Sequence, residues 1–362
     1  MKRIQKLLAA AAVLLLLAGC AAPRAAGEIT ALSPDGETVA LHTFSQSAFL
    51  DGPVERIGLY ARGKREKSRP KPVEFRWDGA DGEATVRISE QADMADAQVF
   101  TAEGGSLDVY NLKIGTTYYW TVSAGGETSR VYTFSTEDEA PRNLYIDGVT
   151  NARDLGGRQT ADGRRVRQGM LYRCGRLNVS DVDYVEIEIT PAGAETMLET
   201  LGVRTEIDVR MGENHENGTL TASPLGDTVQ YIHCPMAWDG EMLADNREQI
   251  ARVFSVLAKE ENYPVFLHCN IGTDRTGMLS FFVNALLGVP QEALYRDYLF
   301  SNFGDIGGKR PLENLTESDY YAAIQASPGE TLAEKTYNCL VANGVAAEDL
   351  DALRRILLEP AA

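Results

Sequence analysis

A cysteine and an arginine stand six positions apart in His268-Cys269-Asn270-Ile271-Gly272-Thr273-Asp274-Arg275-Thr276-Gly277, between two apolar runs. The run before it, Pro264-Val265-Phe266-Leu267, has the length and flanks of a buried strand. The run after it, Met278 to Leu287, reads as a helix stopped by Gly288 and Pro290. Strand, tight loop and helix in that order turn the loop's backbone N–H groups and the helix's positive end toward one spot. The stretch is therefore expected to fold around an anion.

The same surroundings favour a thiolate over a thiol, which makes Cys269 the candidate nucleophile. Arg275 carries a planar fork that matches two phosphoryl oxygens, a geometry lysine cannot reproduce. Gly272 permits a close backbone approach. Asn270, Ile271, Thr273 and Asp274 complete the phosphate-binding loop, and the Thr276 hydroxyl is placed to donate to sulfur as it leaves a phosphocysteine.

The string resembles the signature loop of the cysteine-dependent protein tyrosine phosphatase superfamily. Its Asp-Arg-Thr-Gly ending is most similar to the bacterial branch with dual- and triple-specificity members acting on phosphoproteins and phosphoinositides. Asn151-Ala152-Arg153-Asp154-Leu155-Gly156-Gly157, Gly169 to Arg173 and Leu201 to Arg210 resemble that branch's upstream segments, in the family's order. The resemblance covers roughly residues 143–362. It implies an α/β phosphatase unit, a central sheet flanked by helices, with the loop at the carboxyl end of a central strand, and catalysis without metal or organic cofactor. Phosphoinositide-active members commonly carry lysine before the Asp-Arg pair, where this chain has Thr273, and this counts against lipid head groups.

Such chemistry needs an acid to protonate the leaving oxygen, and two carboxyls compete for the role. Asp239, in Met236-Ala237-Trp238-Asp239-Gly240, follows a strand-like segment and is similar in order to the superfamily's mobile acid loop. Asp274 sits inside the loop, where members of this branch are thought to use the equivalent aspartate. Asp239 is preferred. His268 is expected to hydrogen-bond the loop backbone, and Arg153, Asp154, Asp208 and Arg210 to pair with each other or buttress the loop. Arg164, Arg165, Arg167, Arg173 and Arg176 form either a local basic patch or a solvated face. Four histidines without paired His/Cys or His/Glu spacing give no metal signature.

Lys2, Arg3 and Lys6 followed by apolar Leu7 to Leu17 read as a signal peptide over residues 1–19, too short for a membrane span. Leu17-Ala18-Gly19-Cys20 resembles a bacterial lipoprotein cleavage box, which makes Cys20 the lipid-bearing residue and 20–29 a tether. The expected location is extracytoplasmic, anchored to the membrane through Cys20. The formal net charge of −17, acidic even with the leader's basic residues included, disfavours nucleic acid as a partner. The expected partner is a phosphorylated protein or small molecule. Cys174, Cys234 and Cys339 remain, an odd set, so either buried thiols or a reversible bond from Cys174 or Cys234 to Cys269 is expected.

Residues 30–138 alternate with period two in several short runs, among them Val73 to Trp77 and Thr117 to Val122, separated by Gly-rich turns. A smaller all-β sandwich is expected there, and Gly115-Thr116-Thr117-Tyr118-Tyr119-Trp120 looks like the late-strand signature of fibronectin type III modules. The phosphatase-like unit then spans 139–362. The leading functional reading is a protein-tyrosine phosphatase, of single or dual specificity. Its rivals are an inositol polyphosphate or phosphoinositide phosphatase and a non-catalytic phosphate-binding module.

Overall fold

The computed structural model describes residues 29–61, 69–80, 82–179, 187–212, 216–217 and 220–360. The expected signal peptide and Cys20 lie outside them. In the N-terminal part, alternate side chains of β3 (Val73–Asp78) point inward, with burial switching residue by residue. β3 lies between β1 (Thr30–Ser33) and β6 (Ser106–Val109) in a three-stranded antiparallel sheet. A second sheet runs β2 (Thr38–Val39), β9 (Tyr132–Thr136), β7 (Thr117–Ala124), β4 (Glu83–Ser89) and β5 (Gln98–Glu103), with β8 (Glu127–Thr128) paired to β7. Phe75, Trp77, Val86, Trp120 and Phe134 form one core, with the Phe75 and Trp120 rings edge to face at 4.9 Å. Trp120 Nε1 donates to the Pro34 carbonyl at 2.9 Å, so this buried indole is satisfied.

The period-two reading of 30–138 does not hold between β2 and β3. Thr43 and Gln46 form a capping box that opens α1 (Phe44–Leu50), and α2 (Ile57–Tyr60) follows. Phe49 and Leu50 are buried in the core of the C-terminal unit, and the Phe49 ring lies 5.8 Å from Phe303. Arg296 Nη1 donates to the Phe49 and Gly52 carbonyls, each at 2.9 Å. Residue 138 is therefore not a packing boundary, because a helical excursion from the β part completes the larger core.

The C-terminal unit is built on a five-stranded sheet ordered β10 (Arg153–Asp154), β11 (Leu171–Cys174), β14 (Val265–His268), β12 (Thr205–Asp208) and β13 (Gln230–His233). All pairs are parallel except β10–β11. Every residue of the central β14 is buried, as a parallel strand covered on both faces must be. Val265 and Leu267 join one core, while Phe266 joins a second with Met197 and Leu201. The helices are α3 (Pro191–Glu195), α4 (Met242–Asp245), α5 (Arg247–Leu257), α6 (Arg275–Leu286), α7 (Gln291–Phe300), α8 (Glu313–Thr316), α9 (Asp319–Ala326), α10 (Leu332–Ala342) and α11 (Ala347–Leu357). The α6 helix starts at Arg275 rather than at the expected Met278, which draws Arg275 and Thr276 into its first turn. Among the described residues no helix is long and apolar enough to cross a membrane.

Candidate active site

Cys269 follows β14 directly and is 2% exposed. The loop that carries it is held from behind. Arg176 N–H donates to the Asn270 carbonyl at 2.9 Å. Asn151 Nδ2 donates to the carbonyls of Ile271 at 3.2 Å and Gly272 at 3.0 Å. Arg173 Nη2 donates to Gly272 O at 2.5 Å. A trans peptide points its N–H opposite to its C=O. Three successive carbonyls drawn toward the protein therefore turn the amides of Ile271, Gly272 and Thr273 the other way, into one concavity suited to an anion. Gly272 is required here: its φ is +72°, and an added Cβ would come within 2.4 Å of the Cys174 carbonyl oxygen.

Arg275, at the start of α6, is fixed by a partner the sequence did not point to. Its Nη1 donates to Glu216 Oε2 at 2.8 Å and its Nη2 to Glu216 Oε1, while Nη1 also reaches Met236 O at 3.1 Å. This end-on fork leaves the Nε–Nη2 edge of the guanidinium. Nε has no partner although it is buried, and Thr276 Oγ1 is likewise buried and without a partner. Two orphaned donors beside a ring of outward amides fit an oxyanion.

The two acid candidates stand differently. Asp274 is forked by Arg310, with Nε to Oδ1 at 2.9 Å and Nη2 to Oδ2 at 3.1 Å, and Thr273 Oγ1 also donates to Oδ2 at 3.0 Å. Both of its oxygens are engaged as acceptors. Asp239 is exposed at the tip of the segment between β13 and α4. That segment touches the site at Met236 O and is tied down at Ala237, whose N–H donates to Asn246 Oδ1 at 2.7 Å and whose carbonyl accepts from Asn246 Nδ2 at 3.0 Å. Beyond Ala237 the chain offers Trp238, itself 57% exposed, and Asp239 to the solvent.

His268 is fully buried, with Nδ1 3.1 Å from Cys269 O and Nε2 2.9 Å from Glu206 Oε1. Asp208 accepts from Arg210 at 2.9 Å and 2.7 Å and from the Tyr231 hydroxyl at 2.9 Å. Burial would raise its carboxyl, but His268 and Arg210 bring it down to about 2. Glu206, Asp208 and His268 bring their ligand atoms within 4.8 Å of one another. Arg210 and Tyr231 engage the Asp208 oxygens and Glu206 Oε1 faces His268, while Glu206 Oε2 is buried without a partner.

Arg153 and Asp154 do not pair with each other. Asp154 accepts from Arg142 Nη1 at 2.9 Å, and Arg142 also binds the carbonyls of Asn111 and Leu112 in the β part. Arg153 donates to Asp297 and, at 2.5 Å, to Asn151 Oδ1, which sets the amide that Asn151 presents to the loop. The arginine cluster forms no single basic patch, and only part of it, Arg164, Arg165 and Arg167, reaches solvent. Arg173 and Arg176 are buried behind the loop, Arg164 pairs with Asp162, Arg165 with Asp138, and Arg167 with the Leu358 carbonyl. Cys174, Cys234 and Cys339 are free and buried, and burial pushes the Cys234 thiol up to about 11 and raises Cys174 as well.

Residues 144–359 match the sequence pattern described as the tyrosine phosphatase family, well over half of the chain. The chain belongs to the tyrosine phosphatase family. A Cupriavidus necator protein provisionally named a tyrosine-protein phosphatase is 29% identical over 187 residues, covering 44% of this chain and 63% of that protein. A Nostoc commune tyrosine-protein phosphatase is 30% identical over 90 residues, covering 25% of this chain and 30% of that protein. The chain thus spans less than two thirds of the length of these curated relatives. The solved structure of Pseudomonas aeruginosa TpbA is similar at 18% identity and a TM-score of 0.30, over 48% of this chain and 91% of that one. So remote a structural likeness carries no functional reading. In this family member the signature residues Cys269, Arg275 and Thr276 are gathered at the loop and the first turn of α6; Glu216, Asp297 and Arg310, which hold them or their neighbours, lie outside the segments that carried the resemblance, whereas Glu206 lies within one of them.

Proposed function

We propose that the chain is a cysteine-dependent phosphomonoesterase, acting chiefly on phosphotyrosine in proteins. The observation that carries this reading is a pair of buried donors without partners, Arg275 Nε and the Thr276 hydroxyl, in the helical turn that directly follows the Cys269 loop. Cys269 sulfur attacks phosphorus, the P–O bond to the substrate breaks, and the leaving oxygen takes a proton from Asp239. Water then attacks the phosphocysteine, giving back the thiolate and releasing inorganic phosphate. Asp239 is favoured over Asp274 because Arg310 engages both Asp274 oxygens. Asp239→Asn is expected to lower kcat on alkyl phosphates by about 10²–10³ and on nitrophenyl phosphate far less, since a good leaving group needs little protonation. Asp274→Asn is expected to change the alkyl-to-aryl ratio little; the reverse pattern in steady-state rates would move the acid to Asp274.

Inositol polyphosphates would need solvent-facing cations around the loop, and the arginines nearest it are committed to buried carboxylates and carbonyls. Phosphate release from phosphotyrosine peptide, phosphoserine peptide, phosphatidylinositol phosphates and inositol hexakisphosphate, with reductant and chelator, tests the reading. The phosphotyrosine peptide is expected to turn over fastest. Preference for an inositol substrate would replace it, and binding without release from any substrate would leave a phosphate-recognising module.

The signal sequence and Cys20 further support an extracytoplasmic protein anchored by lipid. The strand order of the N-terminal part is compatible with a fibronectin type III-like module. Its contacts through Arg142, Phe49 and Arg165 favour a rigid support over a loose spacer.

A further inference from the structure

Four buried charges lie behind the phosphate loop without touching the place a substrate would occupy. Asp297, on α7, accepts from Arg153 Nε at 2.8 Å and Arg158 Nη2 at 2.5 Å through Oδ1, and from Arg173 Nη1 at 3.1 Å through Oδ2. All four side chains are at least nine-tenths buried. Burial alone would raise the Asp297 carboxyl, but the three guanidiniums hold it well below the usual carboxylate range. The cost falls on Arg173, which burial and the neighbouring Arg153 bring down to about 9.

Two of these arginines continue to the loop. Arg173 reaches the Gly272 carbonyl with its other terminal nitrogen, and Arg153 holds Asn151 Oδ1, so that Asn151 Nδ2 meets Ile271 O and Gly272 O. One carboxylate thereby sets both devices that draw the Ile271 and Gly272 carbonyls backward and aim the Gly272 and Thr273 amides at the anion. Without it, like-charged guanidiniums would face each other in a low-dielectric interior and move apart, and the loop carbonyls would follow.

We propose that Asp297 is the positioning residue of the anion site: through Arg153–Asn151 and Arg173 it fixes the orientation of the loop amides, and thereby sets oxyanion affinity and the alignment of phosphorus with Cys269. This rests on the phosphatase reading above, but one arm of its test, the alkylation of Cys269, does not depend on turnover. The probes are inorganic vanadate, as a competing oxyanion, and the alkylation of Cys269 by anionic iodoacetate compared with neutral iodoacetamide. In the full chain, Asp297→Asn is expected to raise the vanadate inhibition constant on the order of 100-fold, the scale of a misplaced binding group, and to erase the preference for iodoacetate.

Arg296→Met is the control. Arg296 is the next residue on the same helix, and it holds Phe49 and Gly52 rather than the loop. It should lower the thermal midpoint while leaving both anion readouts at wild-type values. Should Asp297→Asn fail to fold, Asn151→Ala takes its place, removing one link while leaving the four charges together, with a rise of about tenfold or more expected for the loss of its two hydrogen bonds to the loop. An Asp297 variant that loses thermal stability but keeps wild-type vanadate inhibition and iodoacetate preference overturns the proposal, as does an Asn151→Ala protein with both unchanged. A wild-type protein with no preference for the anionic reagent and no vanadate inhibition would instead overturn the phosphatase reading itself.

Discussion

Replacing Cys269 by serine is expected to reduce phosphate release by at least about 10⁴-fold, the scale on which nucleophile deletions act. The substitution changes one buried atom and leaves the loop geometry in place, so the loss is chemical rather than structural. A serine hydroxyl gives up its proton far less readily than a thiol and is a weak nucleophile without an adjacent base. The residues with orphaned donors, Arg275 and Thr276, are untouched. The serine protein should therefore still bind phosphotyrosine peptide, and a fluorescence binding assay beside the rate measurement separates the two effects. Loss of binding together with turnover would mean that the loop had collapsed.

Arg275→Lys is expected to lower kcat on the order of 10²–10³, with a larger effect on kcat/KM. Arg275 is proposed to do two jobs at once: its Nη atoms hold Glu216 and the Met236 carbonyl, and its unpartnered Nε is left for the anion. A lysine ammonium is a single point charge and cannot do both. Glu216 would also lose its fork while buried, so the thermal midpoint should fall, though the retained positive charge keeps the loss below that of deleting the partner outright. Glu216→Gln should retain more stability but lose much of the rate, because Arg275 would no longer be fixed. Steady-state kinetics and thermal unfolding of the two proteins check this; a lysine variant with near wild-type kcat would remove Arg275 from transition-state binding.

The parts of this architecture that were legible in the sequence are those written in short-range pattern. The strand, loop and helix around Cys269 stand within a few residues of where apolar runs and a glycine stop put them, and the strand alternation in Val73 to Trp77 is visible in its burial. The supporting residues were not legible, because they act across long separations. Glu216 reaches Arg275 over 59 residues, Arg310 reaches Asp274 over 36, and Asp297 reaches Arg153 over 144. A single acidic residue on an ordinary helix carries no local mark of such a role. The arginines near the Asn151 motif were misread for a related reason: charged side chains are mostly solvated, and only tertiary pairing with Asp297 and the loop carbonyls makes burial of Arg173 tolerable. The Thr43–Gln46 capping box was a readable helix start, hidden by the strand pattern that follows it.

The central claim is that phosphorus passes through the Cys269 sulfur. Mixing the full-length protein with an aryl phosphate, quenching in acid within one turnover and mapping the digested peptides by mass tests it most directly. The account predicts a phosphoryl increment on the peptide carrying Cys269, and no increment in Cys269→Ser. Continued turnover with no increment on Cys269, or with the phosphoryl group on another side chain, would contradict it.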